Sequence, residues 1–377
     1  MDLAYGEAEE DFRRRLRQWL AGALPALPPK PAPDDWPARR AYDTGWQRML
    51  YDAGYADVHW EASPTLRLIF LEETELAGAP YVGANFVGLL HAGPTIAAEG
   101  TAAQRERWLE PILRGDEVWC QGFSEPGAGS DLASLRTRAR RDGDAYVVTG
   151  SKIWTSHAEV ADWCELLVRT DPGAPRHRGI SWLALPMDAP GVTVRPLRTL
   201  AGPAEFAEVF LDEVRVPVAN RVGEENDGWR VTLVTLSYER GTAFAGEVVA
   251  CRRVLGELAR EARGNGRWDD DALRRRLGRL AAEFRALWRL TQWNVSEAEA
   301  TGAVPGTGGS VFKLRYSHAR QELYDAAAEV LGPGCLDLDG AWTADRLSSL
   351  SYTIAAGTSQ IQRNIVAERI LGLPKGR

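Results

Sequence analysis

The chain has 377 residues, 45% of them hydrophobic and 26% charged, with a formal net charge of −7. That length predicts two or three domains around a large core. The acidic balance, with a pI near 5.5, argues against nucleic acid, whose recognition needs a basic face.

In chain order, apolar residues at helical spacing predict helices over 11–24, 36–53, 66–76 and 88–99, separated by Pro-rich breaks. Thr101 with Gln104 three residues on has the spacing of a capping box and starts a further helix. Between residues 118 and 223 the texture changes to short β-branched and aromatic runs alternating in period two, the pattern of a small antiparallel barrel or sandwich. Long helices are expected again over 229–262, 271–302, 310–331 and 358–371, with Asp271 as an N-cap and an antiparallel four-helix bundle as their packing. The expectation is a multidomain α+β protein: an all-helical N-terminal domain (1–119), a central antiparallel β domain (120–226) and a C-terminal four-helix bundle (227–377). Most of the 14 Trp rings are expected in the core, some at interfaces or against a flat cofactor.

The four cysteines, Cys120, Cys164, Cys251 and Cys335, form no CxxC pair and no metal-ligand spacing, so they read as buried thiols in a reducing compartment and no metal is expected. The start MDLAYGEAEEDF lacks the basic and apolar regions of a secretory signal. No apolar run reaches the roughly 18 residues of a membrane helix. A cytoplasmic protein without membrane insertion is the expectation.

SEPGAGSD, residues 124–131, packs two glycines, a proline and two serines into eight positions. Gly127 and Gly129 permit positive φ and Pro126 removes a donor, which leaves a turn whose backbone N–H groups and Ser124 and Ser130 hydroxyls suit an anionic or acceptor-rich ligand. A lone turn of this kind is more often a surface hairpin. Here Trp154-Thr155-Ser156 follows within GSKIWTS, and AAGTSQIQRNIVAERILGLP closes the chain at 355–374.

With these three segments, from about residue 5 to residue 374, the chain resembles the acyl-CoA dehydrogenase family. The resemblance implies FAD-dependent α,β-dehydrogenation of an acyl-CoA thioester to the trans-2-enoyl-CoA, with flavin N5 accepting the β hydride and electrons passing to an electron-transfer flavoprotein. It implies a homotetramer or homodimer, with a mixed oligomer as the alternative. It places Phe123, Ser124, Gly129, Ser130, Trp154, Thr155, Ser156, Thr358 and Gln360 about the flavin, and Gly332 on the neighbouring-subunit side, with Ser130 also toward the substrate. The family's Arg-x-x-Phe-Gly adenosine motif is missing where GRWDDDALRRRL stands at 266–277, and Gln-x-x-Gly-Gly appears as Glu329-Val-Leu-Gly332-Pro333. The loop VHWEASPTL at 58–66 is also shorter than the family's glycine-rich one.

In many members the base directly precedes the Gly-Thr of the last motif, where this chain has Ala356, which takes no proton. Other branches place a base in a Leu-x-x-Glu-Arg pattern on the first long helix of the bundle. LSYERG at 236–241 puts Glu239 there, with Arg240 to orient it or meet substrate, and Glu247 as a fallback. Ala356 keeps its backbone N–H, so the resemblance leaves it the role of polarising the thioester carbonyl. Two other readings are a flavin monooxygenase on the same fold, which needs no base, and a subunit of a mixed oligomer with an altered or half site. His91 and His157 read as structural histidines.

Overall fold

The computed structural model describes residues 4–60, 62–81, 83–241, 244–301, 308–337 and 340–375, the side chains of residues 59 and 237–241 excepted. Five helices precede the first strand: α1 Glu7–Ala23, α2 Trp36–Asp52, α3 Pro64–Leu76, α4 Gly93–Glu99 and α5 Ala102–Arg114. Local chemistry fixes their starts, with Asp35 capping α2, Ser63 capping α3 and a complete Thr101/Gln104 box on α5. The expected helix over 88–99 begins instead as a π turn, Gly88–Ala92. Trp60 supplies the cause. Its Nε1 donates to the Leu89 carbonyl at 2.6 Å, and its ring stands where a Cβ on Gly93 would fall.

The strands are β1 Trp119–Gly122, β2 Arg138–Asp142, β3 Ala145–Ser156, β4 Trp163–Arg169, β5 Ile180–Pro186, β6 Val192–Leu197, β7 Phe206–Pro217 and β8 Arg221–Val222. They form one sheet in the order β6-β7-β3-β2-β4-β5-β8, with β1 beside β4. Pairing is antiparallel except that β1 and β2 meet β4 in parallel, which sets Cys120 opposite Cys164. One core of the sheet gathers Tyr146, Val148, Leu166 and Val209; the other meets the N-terminal helices through Trp119, Trp182, Ile96 and Trp108. Trp119 stacks on Trp163 at 5.6 Å, so this group of indoles is interdomain core rather than a cofactor face.

The helix expected over 229–262 is two, α6 Gly228–Gly241 and α7 Ala245–Gly264. Gly241, a poor helix former, ends the first. α6 packs on β5 and α4, while α7 joins α8 Asp271–Thr301 and α9 Gly308–Leu331 around Leu258, Leu280, Phe284, Tyr316 and Leu323. The cap of α8 is Asp270, which accepts from the Ala272 and Leu273 amides, rather than Asp271, the helix's first residue. α10 Ala341–Ser349 and α11 Ser359–Ile365 close against α9, and α11 runs into a π turn, Val366–Ile370. All four cysteines are free and buried. Among the described residues no helix is long and apolar enough to cross a membrane.

Candidate flavin and acyl site

β1 delivers the chain to the 124–131 turn, where Glu125 and Ala128 exchange backbone hydrogen bonds at 3.1 and 3.0 Å around Pro126 and Gly127. The expected positive φ is not used: neither Gly127 nor Gly129 has one. A Cβ at either would meet nothing within 4 Å. The glycines therefore leave backbone uncovered instead of bending it into an anion nest. Phe123 is buried, Ser124 is half-buried and Gly129 and Ser130 are exposed.

The turn is fastened to β3 from beneath. Ile153 N donates to Ser124 O at 2.9 Å, and the buried Lys152 ammonium reaches Phe123 O at 3.1 Å and Glu125 Oε1 at 2.9 Å. The Arg136 and Thr137 amides complete the shell of the Glu125 carboxylate. Burial pushes that carboxyl up, but the Lys152 charge and the Thr137 bonds outweigh it and hold it below its ordinary value. Burial lowers the Lys152 pKa against the pull of Glu125. This pair escaped the sequence reading, although a lysine at an inward position of a period-two strand was its signal.

A bulge between Lys152 and Thr155 breaks the pairing with β7. It puts Trp154 at φ 62 with its ring 57% exposed, edge-on to Phe206 at 5.9 Å. Thr155 is turned inward, fully buried, and its Oγ1 has no partner among the described residues. Ser156 is half-buried beside it. His157 (φ 58) packs between Trp36 and Phe86, and burial followed by the Arg39 charge lowers its pKa to about 4. His91 lies 3.0 Å from Gln121 in a buried group with Glu165.

The last motif makes a second strained turn. Ala356 (φ 51) and Gly357 (φ 84) are consecutive left-handed residues, held by Gln362 Nε2 on the Ala356 carbonyl at 3.0 Å and Lys313 Nζ on the Gly357 carbonyl at 2.6 Å. Left-handed alanine costs roughly 1–2 kcal/mol, and such strain concentrates at functional sites. Ala356 is exposed, and among the described residues nothing accepts from its N–H. Thr358 caps α11 through the Ile361 amide, Gln360 is exposed, and Gly332 (φ 62) opens the 3₁₀ turn after α9. No hydrogen bond among the described residues joins these three to the 124–131 turn.

Glu239 and Arg240 stand on the last turn of α6, but their side chains lie outside the described residues. α6 itself is fixed, since Thr235 Oγ1 meets Thr95 Oγ1 of α4 at 2.8 Å. Glu247 accepts from Tyr316 Oη at 2.5 Å, Tyr352 Oη at 2.9 Å and Arg320. The fallback base of the sequence reading thus sits in a group of three donors.

The polar atoms of the site suit a flavin. An inward hydroxyl without a partner, uncovered backbone at Gly127 and Gly129, and an open indole beside them fit a flat, acceptor-rich group.

Three family models match: "Acyl-CoA dehydrogenase, N-terminal domain" over residues 6–116, "middle domain" over 120–214 and "C-terminal domain" over 226–371. The chain is 39% identical over 385 residues to the acyl-CoA dehydrogenase IpdE1 of Mycobacterium tuberculosis, covering 97% of this chain and 98% of that one. Among solved structures, the Tcur3481-Tcur3483 steroid ACAD is 31% identical with a TM-score of 0.86, covering the whole of both chains. The ChsE4-ChsE5 complex from Mycobacterium tuberculosis is 33% identical with a TM-score of 0.80, again over both whole chains.

Proposed function

Because this chain belongs to the acyl-CoA dehydrogenase family, we propose that it dehydrogenates a bulky, ring-bearing acyl-CoA, with Glu239 taking the α proton and electrons leaving to an electron-transfer flavoprotein. FAD, the family's cofactor, supplies the hydride acceptor when bound. The 124–131 turn and the bulge at 154–156 would hold it, with Thr155 Oγ1 as the donor the fold leaves unused.

One observation carries the division of labour. Ala356 has no acid or base of its own, yet the chain keeps it in a left-handed turn with no acceptor for its N–H among the described residues. Such an N–H can steady the charge that develops on the thioester oxygen as the α proton departs. The proton then needs a separate acceptor, and Glu239, one turn beyond Thr235 on α6, is the carboxylate the family pattern supplies. Keeping that carboxylate disfavours the monooxygenase reading.

A ring-bearing acyl group is supported by the name of the steroid ACAD. The paired names of both structural relatives support pairing with a second, related chain over a homotetramer. The exposed Leu350, Ile354, Leu371 and Leu373 offer apolar surface for such a contact. Thr358, Gln360 and Gly332 would serve the flavin across that contact, which fits their sharing no hydrogen bond with the 124–131 turn among the described residues.

The test is anaerobic titration of the flavin-loaded protein with straight, branched and ring-bearing acyl-CoAs, following flavin absorbance. Bleaching by ring-bearing members is expected. A flavin-loaded protein that no member bleaches overturns the dehydrogenase reading. Flavin retained only after co-expression with a related chain would establish the paired form.

A further inference from the structure

Lys313 stands on the second turn of α9 with only 3% of its surface exposed. Its ammonium donates to the Gly357 carbonyl at 2.6 Å, across 44 residues of chain. Gln362, 1% exposed, donates from Nε2 to the Ala356 carbonyl at 3.0 Å. One turn further along α9, Ser317 Oγ lies 2.7 Å from the Lys313 carbonyl and 2.8 Å from the Tyr352 carbonyl. That contact fastens to α9 the chain that leads into Ala356.

Ala356 and Gly357 are consecutive left-handed residues. In a turn of helical hand the C=O groups lie on one side and the N–H groups on the other. With both carbonyls tied to the bundle, the Ala356 N–H is aimed away from it. Holding such a turn needs no charge. Gln362 shows that a neutral amide holds a carbonyl here, and a neutral donor costs less to bury than an ammonium. What the ammonium adds is a fixed positive charge behind the turn.

We propose that Lys313 is a positioning residue for polarisation of the thioester carbonyl: bonded to Gly357, it aims the Ala356 N–H, and its charge strengthens the positive field at the thioester oxygen. The proposal rests on the dehydrogenase reading and adds to it the residue that stands behind the N–H. One proton moves, from the α carbon to Glu239, and the electron pair of that C–H bond passes into the enolate. The ammonium keeps its own protons throughout. Because cation and turn are set before the reaction, nothing has to reorganise when negative charge appears on the oxygen. Coulomb attraction falls only as the inverse of distance, so a cation bonded to the neighbouring peptide still acts there.

The test uses 3-cyclohexyl-3-oxopropanoyl-CoA, whose β carbon is already oxidised, so the α proton can leave but no hydride can follow. Its enolate absorbs in the near ultraviolet, and the pH at which half of the bound ligand is ionised measures carbonyl polarisation. The protein is flavin-loaded, with any partner chain it requires. In wild type, half-ionisation is expected about one pH unit or more below that of the free thioester. Lys313→Gln, which replaces the ammonium by a neutral donor, should raise it by about one unit. The same variant should slow flavin bleaching by 3-cyclohexylpropanoyl-CoA about tenfold, with KM changed about threefold or less. Lys313→Arg keeps the charge and should bleach within about threefold of wild type. Gln362→Leu removes a neutral donor from the same turn and should move the half-ionisation pH by less than half as much as Lys313→Gln. A wild type that ionises the ligand no more readily than water does, wild-type ionisation in Lys313→Gln, or equal shifts in Lys313→Gln and Gln362→Leu overturns the proposal. The wild-type comparison stands even if no variant folds. A part in stability alone would lower the unfolding midpoint and leave the ligand's ionisation unmoved. The two readings fail separately: ionisation that depends on Lys313 in a protein that no acyl-CoA bleaches removes the dehydrogenation and leaves the carbonyl site, whereas bleaching with ionisation indifferent to Lys313 removes the positioning role alone.

Discussion

The Lys152 ammonium, fully buried, lies 2.9 Å from the Glu125 carboxylate and 3.1 Å from the Phe123 carbonyl. One cation thus ties the strand carrying Trp154-Thr155-Ser156 to the turn carrying Ser124 and Ser130. Removing it leaves a buried carboxylate with only backbone donors, so Lys152→Met should lose about 3–5 kcal/mol of stability and much of its flavin. Lys152→Met with Glu125→Gln should lose less than the sum of the two single changes, because no uncompensated charge remains. Unfolding midpoints and the ratio of flavin to protein report both effects. Additive losses would show that the pair does not act as a unit.

Thr155 offers a test in which stability and cofactor binding move in opposite directions. Its buried Oγ1 has no partner among the described residues, so Thr155→Val should leave the flavin-free protein as stable as wild type or more so, since an unsatisfied hydroxyl is lost. If the hydroxyl serves the flavin, the same change should weaken FAD binding about tenfold. FAD titration of the flavin-free forms measures it. Unchanged FAD affinity together with lower stability would assign Thr155 to the fold alone.

The sequence was legible where the cause is local. The Thr101/Gln104 box, the alternating strands and the α9 periodicity each depend on neighbours within a few residues. What was illegible depends on distant contacts. The π turn at Gly88–Ala92 needs Trp60, and the role of Glu247 needs Arg320 and Tyr352, 73 and 105 residues away. The Lys152–Thr155 bulge reverses the expected alternation, so a tryptophan faces outward and a threonine inward, and period two cannot foretell a bulge. That 124–131 would be a turn was legible because turns are local; the partners that hold this turn and the one at 356–357, Glu125, Lys152 and Lys313, did not show themselves.

His157 makes the fold sensitive to acid. Its folded pKa, near 4, lies below the roughly 6.5 of an unfolded histidine. Above pH 6.5 neither state is protonated and nothing is lost here. Between pH 6.5 and 4 the unfolded chain takes a proton that the fold refuses, so stability falls, by roughly 2 kcal/mol at pH 5. His157→Asn keeps a residue tolerant of φ 58 and removes the titration. Its drop in unfolding free energy between pH 7 and pH 5 should therefore be about 2 kcal/mol smaller than that of wild type. Matching pH profiles would mean that this imidazole gains its proton as readily in the fold as out of it.

The assignment of the base is the prediction on which the reaction turns. A positioned carboxylate contributes roughly 10²–10⁴ in rate, so Glu239→Gln should retain flavin and acyl-CoA binding while the rate of flavin bleaching falls by that factor. Ala356→Glu, alone and combined with Glu239→Gln, tests whether the position before Gly357 can serve. Its backbone is already left-handed, so a larger side chain adds little further strain, and its N–H is kept. In the double variant, partial recovery of bleaching would show that a carboxylate in the Ala356 turn also reaches the α carbon. If Glu239→Gln bleaches at nearly the wild-type rate, the proton goes elsewhere and the assignment fails.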